Sequence, residues 1–390
     1  MLRIKQDVFL GFVIGGVDYP LEATGFNSLK IVSSRSISVP MVEMELVDSF
    51  NFFSEKVTLA DGVQLKVLLG TSQEEYDTMV FRVFSFSDPK AGGSTSVKII
   101  GYLDVVAYYM ATANKPISGT SYNVLKAMAD MAGMTFEGDA TSDDQVWIPG
   151  NDRYCQWARK IVAHAYGNDM SLMALAVTPL KVMRYRDVMA LDVSGDMPAF
   201  VNGDSRPKSK IFQMRDSHSL SRSGSNNASG AYGHRIVVQR ANAELQTVRD
   251  AIRYKRFASF TNVAKDVRDA VKNAEGSPGV LNTQFSPIEC GNVHEHYWEA
   301  QYQNARLSRL FSTGATLLVE DRTKIEVLDP VKYMPSSAPG ATGAEAKEQV
   351  QGIYVVTSKA VVVQMGNYFE RFELYTSGPS TDPAALGNQE

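Results

Sequence analysis

Two residues of this sequence have the types of a thiol nucleophile and its base, Cys155 and His164. They lie on a segment whose apolar spacing predicts a single helix, about 180° apart around its axis. Their side chains would therefore point to opposite faces, and they cannot form a catalytic dyad within that helix. The sequence favours Cys155 as a small packed residue beside Trp157.

A second group of residues has the types that bind metals, namely Cys290, His294 and His296. In an extended chain all three side chains would share a face, but a structural zinc site takes four ligands. On a helix the two histidines would diverge by about 200°. Because no further Cys or His pair lies at a conventional spacing, we predict no metal ligands. We also predict no catalytic residues and no cofactor.

The run Arg253–Phe257 alternates basic and aromatic residues, as some single-strand nucleic-acid binders do. A solvated strand face or a subunit contact explains it equally well. The net charge of -4 argues against a general nucleic-acid binder. The common phosphate-binding, hydrolase and zinc-protease motifs do not occur in the sequence. The sequence therefore does not predict an enzyme.

Length and composition describe an ordinary folded protein of two to three domains, with 390 residues, 44% hydrophobic and 21% charged. Two cysteines are too few for a disulfide framework and indicate a reducing compartment. No segment is apolar over the roughly 18 residues that a membrane span needs. The N-terminal basic and apolar run could be a signal peptide, but Asp7 interrupts it, and an opening strand is favoured.

Residues 1–112 are predicted to form a first β-barrel. Pro40–Asp48 alternates apolar and acidic residues, which is typical of a half-buried strand. Further strands are predicted at Val63–Leu69, Met79–Ser87 and Ser96–Tyr109. Because short turns separate these strands and no long helix intervenes, we expect antiparallel pairing.

Residues 113–180 change to a helical pattern and are predicted to form a small α/β insertion. Thr120 or Ser121 can cap a first helix, which Gly133 would end. A second helix is predicted to begin near Asn151, with an apolar face that packs the insertion against the first barrel. Gly167 would end that helix.

Residues 181–378 are predicted to form a second β-barrel with inserted helices and loops, followed by a flexible tail at 379–390. Its closing strands lie in two blocks rich in β-branched and aromatic residues. The predicted fold class is α+β, predominantly β, with two antiparallel barrels. The predicted elements are strands at Lys181–Val188 and Ile211–Arg215, a loop at 218–234, helices at Asn262–Asn273 and His294–Arg306, strand blocks at Arg306–Asp329 and Gly352–Gly378, and a loop at 332–350.

The order of these elements resembles the baseplate hub proteins of contractile-tailed phages. It is also similar to the phage late control protein and the N-terminal part of type VI secretion spike proteins. In that family a pattern like VEMELVDS…DGVQLKVLLG belongs to the first barrel, and GIYVV…F-E-L closes the second. A helix with an aromatic residue, here Trp157, that ends at a glycine, here Gly167, belongs to the insertion. The long loop at 218–234 and the helix at 262–273 depart from the commonest pattern.

The resemblance implies a homotrimeric virion protein of the tail baseplate, assembled in the host cytoplasm. Two tube-like barrels per chain give six units per trimer, which match a hexameric tail tube. The implied partners are the tail tube, tape-measure, central spike and other baseplate proteins. DNA would pass through a central channel without specific binding. Two alternatives remain at this point: a glycan- or receptor-binding tail protein, and a hub-associated peptidoglycan hydrolase.

Overall fold

The computed structural model describes most of the chain between residues 2 and 376. The described residues are 2–4, 8–21, 25–48, 52–72, 74–87, 96–168, 171–191, 197–201, 210–221, 234–239, 245–249, 282–286, 294, 296, 313–334, 352–364 and 366–376. Most of them are in strands, which confirms the predicted, predominantly β fold class. None of the helices in these ranges is long and apolar enough to span a bilayer.

The first strand unit follows the predicted first barrel. Its elements are β1 (Leu2–Ile4), β2 (Val8–Ile14), β3 (Val17–Asp18), β4 (Phe26–Ser34), β5 (Met41–Val47), α1 (Phe52–Glu55), β6 (Gln64–Gly70), β7 (Tyr76–Phe86), β8 (Ser96–Leu103) and α2 (Val106–Met110). Strands β2, β6, β7, β8, β5 and β4 pair antiparallel in that order. The predicted alternation in β5 is confirmed, because Val42, Met44 and Leu46 are fully buried. The predicted strand Ser96–Tyr109 is too long, since its last residues form α2.

The insertion packs two helices with short strands. Its elements are β9 (Ile117–Gly119), α3 (Ser121–Met131), β10 (Thr135–Gly138), β11 (Gln145–Trp147), α4 (Tyr154–His164), β12 (Met173–Val177) and β13 (Val182–Asp187). The Thr120 side chain caps α3 by accepting a hydrogen bond from the Asn123 amide. Gly133, at φ +67°, follows the helix in the left-handed conformation that favours glycine. Both the predicted cap and the predicted stop are therefore present.

A three-stranded sheet completes the insertion, in the order β10-β13-β12. The predicted boundary between residues 180 and 181 falls inside this sheet, because β12 and β13 are an antiparallel pair. The insertion therefore extends through Asp187. Sequence alone assigned β13 to the second barrel because its alternation fits either sheet.

The second strand unit contains a closed ring of six strands. Its elements are β14 (Ala199–Val201), β15 (Ile211–Ser221), β16 (His234–Gln239), β17 (Leu245–Arg249), β18 (Asn282–Ser286), β19 (Thr313–Val319), β20 (Pro330–Met334), β21 (Gly352–Gln364) and β22 (Asn367–Thr376). The ring runs β21-β20-β14-β15-β19-β22 and closes by the β21–β22 pairing, while β16 to β18 form a separate sheet. Strand β14 is parallel to both of its neighbours, which differs from the predicted antiparallel pairing. A parallel neighbour requires a crossover rather than a hairpin, and hairpin patterns cannot reveal it.

The two units share one continuous sheet of 14 strands, because β4 pairs with β21. Within the described residues, the pairings of the first unit form an open ladder that runs into the second unit, rather than a separate ring. At about 3.3 Å per residue, the 13 residues of β21 span about 43 Å, which is enough for both units.

Some predicted elements can be compared with the structure only in part. Strand β15 continues to Ser221, into the predicted loop at 218–234. The predicted helix at 262–273 and the tail at 379–390 lie outside the described residues. The predicted helix at 294–306 lies outside them too, except for His294 and His296.

Candidate functional site at the joint between the two strand units

Strand β21 changes partners at Thr357. Before this residue β21 pairs with β20 of the ring, and after it β21 pairs with β4 of the first unit. The register with β22 shifts here, so Thr357 is the extra residue of a β-bulge. Its carbonyl oxygen accepts hydrogen bonds from the Arg35 amide at 2.9 Å and the Ser34 hydroxyl at 3.1 Å. The bulge thus joins the first unit to the ring.

The bulge changes which residues of β21 point into the cores: even-numbered residues do so before Thr357, and odd-numbered residues do so after it. Side chains normally alternate between faces along a strand, and one extra residue reverses the alternation. Tyr354 and Val356 therefore face the core of the ring, and Val361 and Val363 face the core of the first unit. Lys359 lies between the two sets on the same face.

Along β22 the residues run in the reverse order, from the core of the first unit, through a charged residue, to the core of the ring. Tyr368 belongs to the core of the first unit, and Phe372 and Leu374 belong to the core of the ring. Glu370 lies between them and is 1% exposed. The β21–β22 hairpin thus places a buried cation and a buried carboxylate at the border between two hydrophobic cores.

A junction cluster surrounds this pair, which we define as Thr323, Glu326, Lys359, Tyr368 and Glu370. The Lys359 ammonium donates to the Ile325 carbonyl oxygen at 2.8 Å and lies 3.4 Å from Glu326 Oε1 and 3.5 Å from Glu370 Oε1. The Tyr368 hydroxyl donates to Glu370 Oε1 at 2.6 Å, and the Thr323 amide donates to Glu370 Oε2 at 3.1 Å.

Burial and charge shift the pKa values within the cluster in opposite directions. Burial lowers the pKa of Lys359, but attraction to Glu370 and Glu326 outweighs burial, and the net pKa is raised. Burial raises the pKa of Glu326 more than the attraction of Lys359 lowers it. Burial also raises the pKa of Tyr368, so its hydroxyl stays protonated as a donor to Glu370.

Three arginines link the parts of the molecule around the joint. Arg322 forms an ion pair with Asp77 on β7 of the first unit. Arg184 on β13 of the insertion donates to Asp329 Oδ1 and to the Val327 carbonyl oxygen, both at 2.7 Å. Arg159 on α4 donates to the carbonyl oxygen of Ser36, which follows β4. The segment from residue 320 to 329 therefore contacts both the first unit and the insertion.

Cys155 and His164 occupy the two ends of α4, as predicted, and Cys155 is buried. His164 lies against His294, whose Nε2 is 2.9 Å from the His164 carbonyl oxygen. Burial, followed by the proximity of His294, lowers the pKa of His164 to about 4. At neutral pH His164 is therefore an uncharged, half-buried residue of the insertion.

Two of the three candidate metal ligands contact aromatic residues of the insertion. The rings of His294 and Trp147 are 6.4 Å apart, and His296 stacks on Tyr166 at 4.0 Å. Cys290 lies outside the described residues. Among the residues the structure does describe, no three His, Cys, Asp or Glu side chains are grouped as a metal site would require.

The basic and aromatic run Arg253–Phe257 lies outside the described residues, whereas Trp157 lies inside them. Trp157 is 2% exposed and belongs to the hydrophobic cluster that contains both the first unit and the insertion helices. This burial agrees with the predicted packing of the insertion against the first unit.

Two apolar side chains of the first unit are largely exposed. Phe84 and Met110 are 57% and 59% exposed, unusually high values for such side chains. Ring contacts lead from Phe84 to Tyr102 at 5.1 Å and from Tyr102 to Tyr109 on α2 at 6.1 Å. Exposed apolar surfaces of this kind are typical of contacts between subunits.

Sequence reasoning missed the junction cluster, although the sequence carries a signal for it. Lys359 interrupts the apolar run GIYVVTSKAVVVQ, and Glu370 occupies an inward position in NYFERFELYT. A charged residue at an inward position of a strand indicates a buried partner, because an unpaired buried charge is costly. Glu326, in contrast, lies between strands in a segment with no periodic pattern.

The comparisons with known proteins agree on the fold. No protein-family model matches the chain, and no match is found among curated proteins. A tail protein from Neisseria meningitidis MC58 is similar over 95% of this chain and 96% of its own, with a TM-score of 0.56 and 9% identity. The 43 kDa tail protein of prophage MuSo2 from Shewanella oneidensis is similar over 95% of this chain and 98% of its own, with a TM-score of 0.57 and 9% identity.

These two likenesses confirm the predicted resemblance at the level of the fold. Both extend over nearly the whole length of this chain and of the solved structures. The strand units, the insertion and their order along the chain therefore match the fold of these two tail proteins. At 9% identity the likeness establishes the fold alone.

Proposed function

We propose that this chain is a structural hub protein of a phage tail baseplate. Three copies form a ring that joins the hexameric tail tube to the trimeric central spike and encloses the channel through which DNA passes. The observation that carries the proposal is the fold likeness to two tail proteins over nearly the full length of all three chains. The ring is part of the virion and is assembled in the host cytoplasm.

The arrangement of the two strand units supports a trimeric ring. The units are joined by a continuous ladder, so their relative placement is set within each chain. A trimer of such chains presents six strand units, the number that a six-fold tube requires. The exposed apolar side chains Phe84 and Met110 are of the kind that subunit contacts cover.

The role proposed for the chain is mechanical rather than catalytic. In the described residues Cys155 and His164, which have the types of a nucleophile and a base, lie at opposite ends of α4, as predicted. A zymogram with peptidoglycan and a turnover assay with protein substrates should show no activity above background. Lysis that a single substitution abolishes would instead support the hydrolase alternative.

Oligomeric state tests the proposal directly. Light scattering and native mass spectrometry of the purified chain should give a trimer, alone or with the spike protein. Phe84→Ser should weaken that assembly without lowering the melting temperature, whereas Lys66→Ser, on another strand of the first unit, should do neither. A chain that stays monomeric at all concentrations, with and without the spike, would contradict the proposal.

A further inference from the structure

The junction cluster contains more negative than positive charge. The Glu326 and Glu370 carboxylates both lie within 3.5 Å of the single Lys359 ammonium. Tyr368 and Thr323 contribute hydrogen bonds to Glu370 but no charge. With both carboxylates ionised, the cluster holds one uncompensated negative charge at the border of two hydrophobic cores, where burial penalises it.

The hydrogen bonds identify Glu326 as the carboxylate that carries the excess charge. Both Glu370 oxygens accept hydrogen bonds from Tyr368 or Thr323, in addition to the contact with Lys359. Among the described residues the Glu326 carboxylate has one polar contact, from Oε1 to Lys359 at 3.4 Å, and its Oε2 is buried without a hydrogen-bond partner. A proton on Glu326 would remove the excess charge and leave the bonds to Glu370 in place.

We propose that the joint is proton-linked: Glu326 takes up a proton as the pH falls, and the segment from residue 320 to 329 is held more tightly in acidic than in alkaline solution. This inference rests on the cluster alone and does not depend on the proposed hub function. The segment contacts the first unit through Arg322 and the insertion through Arg184. A change in its stability therefore affects how firmly the three parts are joined.

The other charged groups around Glu326 are already compensated. Asp329 accepts from the Glu326 amide at 2.8 Å and forms an ion pair with Arg184 at 2.7 Å. Arg322 is paired with Asp77. Lys359 is shared between Glu326 and Glu370. Burial raises the pKa of Glu326, which agrees in direction with proton uptake at this residue.

The sign of the pH dependence follows from linkage. A carboxyl group whose pKa is higher in the folded than in the unfolded state binds its proton more tightly when folded. Glu326 therefore favours the folded state at acidic pH, and this contribution is lost as the pH rises through its folded pKa. Glu326→Gln imitates the protonated form at every pH and should remove the dependence.

Melting temperatures of the full chain test this inference in wild type, Glu326→Gln and the control Glu373→Gln, from pH 5 to pH 8.5. Glu326→Gln should melt above wild type by roughly 1–2 °C at pH 8.5, and the difference should shrink toward pH 5. Glu373, partly exposed on the same strand as Glu370, should show no such trend. A Glu326→Gln protein that melts at or below wild type at pH 8.5, fails to fold, or shows a pH-independent difference would overturn the inference.

Hydrogen exchange locates the effect. At pH 8.5, amides in peptides covering residues 324–329 should exchange more slowly in Glu326→Gln than in wild type, by roughly threefold or more. Peptides from β2, on the far side of the first unit's ladder, should exchange equally in both proteins. Unchanged exchange in 324–329 would show that the joint does not respond to Glu326 and would also overturn the inference.

Discussion

The two ends of the β21–β22 hairpin lie in the same sheet but in different cores. At one end, Val361, Val363 and Tyr368 pack into a core that includes the first unit and both long helices of the insertion. At the other end, Tyr354 and Phe372 pack inside the six-stranded ring. The backbone ladder is continuous across the border, while the hydrophobic packing is interrupted there by Lys359 and Glu370.

This difference shows how one chain can hold two strand units in a fixed register without merging their cores. Backbone hydrogen bonds do not depend on side-chain type, so the ladder crosses the border freely. A buried ion pair is tolerated only with its partners in place, so any sliding of the hairpin would separate the charges. The cluster therefore favours a single placement of the two units.

The largest effect should come from removing the cation at the border. Lys359→Met leaves the buried Glu370 and the partly buried Glu326 carboxylates without their cation, which should lower the free energy of unfolding by about 3–5 kcal/mol. Urea denaturation provides the measurement. The matched control is Lys98→Met, which breaks an exposed ion pair with Glu43 on the first unit and should cost far less, because solvent screens an exposed pair. Equal losses in the two variants would mean that the border pair contributes no more than a surface pair.

A similar effect is expected inside the larger core. Trp157→Ala removes a large side chain that is 2% exposed, at a cost of about 3–4 kcal/mol, because the neighbouring Tyr154 ring can fill part of the space. Trp157→Phe should cost distinctly less. Thermal melting of the purified variants provides the measurement. An unchanged melting temperature for Trp157→Ala would show that α4 does not pack the insertion against the first unit through this residue.

A smaller loss of stability is expected from removing an arginine that reaches across the joint, and a still smaller loss from removing one whose ion pairs lie within the insertion. Arg184→Ala loses hydrogen bonds to Val327 and Asp329 across the joint, and a longer ion pair with Glu137 that Arg186 also makes, and should lower the free energy of unfolding by about 2 kcal/mol. Arg186→Ala loses only ion pairs to Glu137 and Asp139 inside the insertion, and should cost less than about 1 kcal/mol. Urea denaturation of both variants tests the comparison. A larger loss in Arg186→Ala would show that the insertion is not held to the ring through Arg184.

The smallest effect is a pH dependence that opposes that of Glu326. Burial lowers the pKa of His164 to about 4, from an ordinary value of 6.5, so the unfolded state binds the proton more readily. Stability should therefore fall as the pH drops from about 6.5 toward 4. His164→Gln should flatten this decline, and His218→Gln, whose side chain is 81% exposed, should not. Identical declines in wild type and His164→Gln would contradict the assignment.

Local sequence patterns predicted the helices and strands better than they predicted which strands pair with each other. The alternation of β5, the Thr120 cap and the Gly133 stop are all local features, and each is present. The pairing of β4 with β21 joins residues more than 300 positions apart, and strand patterns carry no information on such a partner. The parallel neighbours of β14 were missed because strand patterns do not reveal a crossover, and the place of β13 was missed because its alternation fits either sheet.

The candidate site could be predicted only in part. Lys359 and Glu370 break the apolar alternation of their strands, so their burial could have been inferred from the sequence. That they meet each other depends on the bulge at Thr357, which reverses the alternation and turns Lys359 inward. A bulge adds one residue without a fixed sequence signature, and Glu326 reaches the cluster from another segment.

Electron microscopy of the purified chain with the proposed spike protein tests the proposed trimeric ring. The account predicts a three-fold particle in which six similar strand units surround a central channel wide enough for double-stranded DNA. The two units of each chain should be joined by the β4–β21 ladder, with the junction cluster between their cores. A particle without three-fold symmetry, or one whose strand units leave no central channel, would contradict the account.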